Sequence, residues 1–235
     1  MTIGRDEKRG VSSALILPDV AILDPLLTTS LPASITAATG MDAMVHAIEG
    51  YASRGANNNP ISKLLATQSL SLLGANIELA VTDGTNIKAR GAMLLGSMLA
   101  GMAFANSPVA AVHALAYPIG GTFHVPHGLS NALVLPHVLR FNAPKAAQEY
   151  VELAPFIFPN IDTTQSSQEG CTEFIERLAA LSATVGLQQN LREVGITEGD
   201  LPTMASDAMK QTRLLVNNPR KVTEQDALAI YQAAW

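Results

Sequence analysis

A single cysteine, Cys171, stands in 235 residues. No internal disulfide can form, and the fold must rest on packing. Cys171 lies in a helical pattern and reads as a packing residue. Aromatic residues make up 5% of the chain and charged residues 15%. The net charge is -5 and the pI is near 5.5, with no basic stripe interleaved with aromatics. Nucleic-acid binding is therefore not expected. The opening MTIGRDEKRG lacks an apolar core, so no signal peptide is expected there.

No Asp, Glu, Lys or Arg occurs between Arg90 and Arg140. Such a gap could hide a membrane span. Here Pro108, Pro118, Pro126 and Pro136, four histidines, Asn106 and several glycines interrupt it. Lipid would leave those polar atoms unsatisfied. The better expectation is a buried region around a polar site, in a cytoplasmic protein without a membrane partner. Alternating βαβ patterning is absent too, and so is a glycine-rich turn between a strand and a helix. IGGTF at 119–123 follows a helix and makes a weak phosphate loop. No internal repeat of solenoid length is present.

What remains is mostly helix. Residues 11–26, VSSALILPDVAILDPL, are the one strand-like region: two short aliphatic runs split by Pro18-Asp19 and closed by Asp24-Pro25. We expect residues 1–26 to form a short β-containing lead and residues 27–235 an all-α domain of about eight to ten helices. Leu31-Pro32 opens a helix running towards Ser53, and a second spans about 61–81. A third covers 86–106, and Ser107-Pro108 should begin a fourth. That fourth helix should weaken at Pro118 and Gly120-Gly121. His127 opens another towards Asn142, and amphipathic helices follow near 144–154, 166–186, 199–212 and 223–234.

Chemistry concentrates in four residues. Asp42 and His46 lie four apart in TGMDAMVHAIEGY, which places both on one helix face. His113 and His127 lie inside the charge-free run, where burial keeps imidazole neutral and able to bind metal. One carboxylate with three imidazoles suits a divalent transition metal with room for a further ligand. Its net positive charge suits Lewis-acid chemistry on an alcohol or carbonyl oxygen. Glu49, three residues after His46, reads as a second-layer partner or a surface carboxylate. His124, three residues before His127, is a candidate for the same cavity. His137 reads as a structural histidine between helices.

The motifs TGMDAMVHAIEGY and HALAYPIGGTFHVPHGLSNALVLPHVLRFN resemble the iron-containing (group III) alcohol dehydrogenase family. SALILPDVAILDP and the closing YQAAW are similar to the family's lead into its helical domain and its C-terminus. The resemblance implies a multi-helix C-terminal domain of the dehydroquinate synthase-like type. It implies Fe²⁺ or Zn²⁺ held by Asp42, His46, His113 and His127, and NAD(P)-linked interconversion of a small alcohol and its aldehyde. Many members carry a histidine four residues after the third ligand, where Tyr117 stands here. Tyr117 and His124 are accordingly the candidate catalytic side chains. Full-length members begin with a nucleotide-binding domain bearing a Gly-Gly-Gly-Ser motif, and no such motif occurs in this chain. The expectation is a metal-binding half that works as a homodimer or with a nucleotide-binding chain. The alternatives are a non-catalytic metal-binding helical module or one chain of a split enzyme.

Overall fold

A computed structural model describes residues 2–3, 9–10, 13–162 and 164–235. Among these, nine α-helices carry the architecture: α1 (Ala33–Ala52), α2 (Pro60–Thr82), α3 (Ile87–Asn106), α4 (Ala111–Thr122), α5 (His127–Ile157), α6 (Ser167–Thr184), α7 (Leu201–Met209), α8 (Thr212–Leu215) and α9 (Glu224–Ala234). A mainly α bundle is thus what the sequence folds into. α1 is its axis, buried along most of its length against α2, α3 and α5.

Local chemistry sets most helix ends. Asn59 and Asn86 cap α2 and α3 by accepting backbone N–H groups of the first turns. Ser166 with Glu169 and Thr223 with Asp226 form reciprocal capping boxes on α6 and α9. α2 is long and apolar enough to cross a membrane by composition, and it packs here on α1 and α3.

Four expectations are corrected. Residues 13–26 hold no strand; they form a 3-10 turn at Ala14–Ile16 and start another at Pro25–Thr28. Val11 and Ser12 lie outside the described residues. Among the described residues the aliphatic run pairs with no strand, and Leu15, Leu17 and Ile22 stand exposed. Among the described residues, β pairing is a two-residue antiparallel ladder, Thr2–Ile3 against Arg9–Gly10.

The fourth helix starts at Ala111 rather than at Pro108. Side-chain bonds hold the chain extended there: Ser107 Oγ donates to the Gly50 carbonyl and Ser53 Oγ to the Pro108 carbonyl. Asn217 Nδ2 donates to the Val109 carbonyl. The result is a bend of 110° between α3 and α4. α4 then runs through Pro118 and both glycines to Thr122.

Residues 144–154 are not a separate helix. α5 continues for 31 residues through Pro136, Pro144 and Pro155. A proline removes one ladder bond, and near Pro144 outside donors reach the helix. Arg220 donates to the Phe141 carbonyl at 3.0 Å and Arg54 to the Lys145 carbonyl at 3.0 Å. The stretch expected at 199–212 divides into α7 and the short α8.

His137 sits half-buried on α5. Burial, reinforced by the Arg140 charge and opposed by Glu176, lowers its pKa from 6.5 to about 4. The unfolded chain takes up this proton near pH 6.5, whereas the folded chain resists until about pH 4. Stability present above pH 6.5 is therefore lost as pH falls through that window. We expect the melting temperature to drop from pH 6.5 to 4 and His137→Gln to flatten part of the drop. Identical pH profiles for the two proteins would contradict this assignment.

Candidate metal centre

Three helices bring the site together. α1 supplies Asp42, His46 and Glu49 on adjoining turns, α4 supplies His113, and the first residue of α5 is His127. One ligand atom from each of Asp42, His46, His113 and His127 lies within 4.8 Å of the others. Asp42 Oδ1 is 3.8 Å from Nε2 of His113 and 3.8 Å from Nε2 of His127. That is too long for a hydrogen bond. It is close to the roughly 3.4 Å that separates two ligands around one tetrahedral ion.

The rings form a layered cluster. His46 stacks between Phe104, with centroids 4.6 Å apart, and His113, at 4.7 Å. His127 is tilted against His113 at 5.4 Å. Burial, reinforced by the neighbouring His113, lowers the His46 pKa to about 3. It is thus neutral, as a metal ligand must be.

The decisive atom is Nε2 of His113. This side chain is 4% exposed, and its Nε2 is buried with no hydrogen-bond partner among the described residues. An orphaned buried nitrogen costs free energy unless something fills its lone-pair direction. Its other nitrogen, Nδ1, lies 2.7 Å from Glu49 Oε2, while Glu49 Oε1 accepts the Val112 N–H at 2.7 Å. With the proton on Nδ1 donated to Glu49, Nε2 turns its lone pair towards Asp42. The residues present fit a divalent transition metal. Glu49, which the sequence left between partner and surface carboxylate, is buried and orients a ligand.

Access differs from one side to the other. The His127 side chain is 38% exposed against 4% for His113. A centre closed on one face and open on the other is the arrangement of a reactive site rather than a structural one.

Sequence reasoning missed Asn131. It is fully buried, and its Nδ2 donates to Asp42 Oδ1 at 2.5 Å and lies 3.3 Å from His127 Nε2. The available signal was its spacing: Asn131 follows His127 by four, as His46 follows Asp42. Tyr117 follows His113 by four and brings its ring to 6.2 Å from that of His127. Burial raises its phenol pKa, opposed by Arg213 and aided by Asp42, so the phenol keeps its proton. His124 departs from the expectation. It is exposed in the loop before α5 with φ of 56°, and its ring is not among the gathered ligand atoms.

Gly128 makes the convergence of α5 on α1 sterically feasible. A Cβ at this position would collide with the Ala38 carbonyl and stand 3.2 Å from Asp42 Cβ. Only glycine lets the start of α5 come close enough to set His127 beside Asp42.

Residues 36–235 match the model of the Fe-containing alcohol dehydrogenase family, C-terminal. The chain belongs to this family. It is similar to the 1,3-propanediol dehydrogenase of Citrobacter freundii, 42% identical over 219 residues that make up 93% of this chain and 56% of the relative. Alcohol dehydrogenase 4 of Saccharomyces cerevisiae is 37% identical over 240 residues, 100% of this chain and 60% of the relative. Among solved structures, a 1,3-propanediol oxidoreductase superposes with a TM-score of 0.86 at 40% identity, over 90% of this chain and 55% of that one. An alcohol dehydrogenase from Oenococcus oeni gives 0.85 at 36%, over 90% and 54%. This Fe-containing alcohol dehydrogenase C-terminal domain thus spans a little over half the length of the curated relatives it matches. The Asp42–His46–His113–His127 cluster lies within the matched residues.

Proposed function

We propose that this chain supplies the metal-binding half of an NAD(P)-linked interconversion of small alcohols and aldehydes. Asp42, His46, His113 and His127 would hold Fe²⁺ or Zn²⁺. The observation that carries this reading is the buried, unpartnered Nε2 of His113 facing a carboxylate and two further imidazoles. When bound, such an ion is a Lewis acid for an alcohol or carbonyl oxygen, and the nicotinamide of NAD(P) is the hydride carrier. The protein's own groups do the rest. Glu49 fixes the tautomer of His113, and Asn131 holds the Asp42 carboxylate. Phe104 covers His46 from the α3 side and keeps water from it. The protonated phenol of Tyr117 donates a hydrogen bond to a substrate oxygen entering on the exposed side of His127. The lead before residue 27, with Leu15, Leu17 and Ile22 exposed, is the edge we assign to a nucleotide-binding partner domain or chain. A cytoplasmic location fits the single free cysteine.

Cobalt substitution tests the substrate reading. The visible spectrum of the Co²⁺-loaded chain should shift on adding 1,3-propanediol, and His127→Ala should abolish the shift. A spectrum indifferent to the diol contradicts an open coordination position. Addition of NAD⁺ and diol to the isolated chain should give no NADH above the metal-free control. Turnover on the order of 10 per second, ordinary for an enzyme, would contradict the assignment of hydride delivery to a separate half.

A further inference from the structure

A second polar feature lies away from the metal centre, between the starts of α1 and α3. Arg90, in the first turn of α3, is 3% exposed. Its Nε donates to the Gly84 carbonyl at 2.9 Å, Nη1 to Thr36 Oγ1 at 2.6 Å and Nη2 to the Leu31 carbonyl at 3.3 Å. All three partners are neutral, and no carboxylate pairs with Arg90 among the described residues. Buried charges are ordinarily paired, because desolvating one costs several kcal/mol. A guanidinium carries five N–H donors, so each terminal nitrogen retains one beyond these bonds. The start of α3 adds the positive end of a helix dipole, which disfavours a cation and favours an anion.

Arg90 lines a cavity of about 210 Å³. Leu73, Met93 and Leu94 supply apolar wall, and Thr36, Thr39 and Ser97 supply hydroxyls. This is smaller than the roughly 300–1,000 Å³ of pockets for drug-sized ligands, so the occupant is small. One cation and an apolar wall match a monovalent anion with a short aliphatic tail better than a multivalent phosphate. Arg is also the side chain whose planar fork fits a carboxylate.

We propose that this cavity binds a short-chain aliphatic carboxylate, its head group on Arg90 and its tail against Leu73, Met93 and Leu94. The site uses the α1 face that bears Thr36, Gly40 and Ala43, and it does not depend on the metal centre.

Equilibrium dialysis of radiolabelled butyrate against the metal-free chain tests this. We expect saturable binding with one site per chain, weakened about tenfold or more in Arg90→Gln, which loses the charged fork. Arg90 also ties three segments together, so Leu94→Trp is the second variant: it fills the cavity and leaves the Arg90 bonds in place. It should lose butyrate binding while retaining the wild-type circular dichroism and metal content. His127→Ala should bind butyrate as wild type does. Absence of saturable binding by the wild-type chain, equal binding by Leu94→Trp, or displacement by inorganic phosphate as effective as by propionate would each overturn the proposal.

Discussion

Replacing Gly128 with alanine is expected to destabilise the chain by about 3 kcal/mol, the scale of forced overpacking, and to weaken metal binding at the same time. The added methyl would enter the Ala38 carbonyl and crowd Asp42 Cβ at 3.2 Å. Neither neighbour can yield as the end of a flexible side chain could. One is backbone in the second turn of α1, and the other is the stem of a ligand. The start of α5 must therefore move off α1, carrying His127 away from Asp42. For a domain of this size the loss corresponds to a fall in melting temperature of roughly 6–12 °C. Gly101 provides the contrast, because a Cβ there meets nothing within 4 Å. Gly101→Ala, in the interior of α3, should raise stability by about 0.5–1 kcal/mol through helix propensity alone. Thermal melts of the two variants with chelator-competition titrations check both halves. Equal effects of the two substitutions would contradict the role given to the α1–α5 contact.

Glu49→Gln is expected to lower metal affinity by about 10–100-fold, the usual cost of losing a ligand's orienting partner, while the helices persist. The wild-type carboxylate accepts two hydrogen bonds of 2.7 Å, from Val112 N–H and His113 Nδ1. A glutamine amide can satisfy only one of them as an acceptor. Its oxygen will stay with the Val112 N–H, which can only donate, and its NH₂ will face Nδ1. That arrangement rewards the tautomer protonated on Nε2, placing a hydrogen where a metal needs a lone pair. Proton-detected nitrogen NMR of the His113 ring reports the tautomer, and competition with a chelator reports the affinity. Metal affinity unchanged in Glu49→Gln would remove Glu49 from the site's machinery.

These two residues also show where sequence reading stops. Asp42 and His46 were legible because helix periodicity converts a spacing of four into proximity. His113 and His127 stood out because histidines in a charge-free run must be shielded and partnered. Tyr117 was legible only through the family motif, which has histidine there. Glu49 and Asn131 were harder: each lies at correct helical spacing from a ligand, but burial and direction depend on how α4 and α5 cross α1. Gly128 gave no local sign at all, since its role is a steric allowance for another helix. The exposure of His124 is likewise a property of the loop path between α4 and α5.

The helices show the same division. The extents 61–81 and 86–106 read from the sequence fall within a residue of α2 and α3, whose starts Asn59 and Asn86 cap. Pro108 misled because tertiary bonds from Ser53, Ser107 and Asn217 hold that stretch extended. The break expected between 142 and 144 does not occur, because the packed α5 continues through the ladder bond lost at Pro144, with Arg54 and Arg220 donating nearby. The aliphatic run before residue 27 has strand composition, but composition cannot supply a pairing partner.

Elemental analysis of the purified chain beside His127→Ala tests the central claim most directly. The His127 side chain is 38% exposed against 4% for His113, so its truncation should spare the fold. After loading and exhaustive dialysis, the wild-type chain should retain about one equivalent of iron or zinc, as a single four-ligand centre requires. His127→Ala should retain only a small fraction of that amount. Full metal content in the variant, or none in the wild type, would contradict the assignment of Asp42, His46, His113 and His127 as one metal centre.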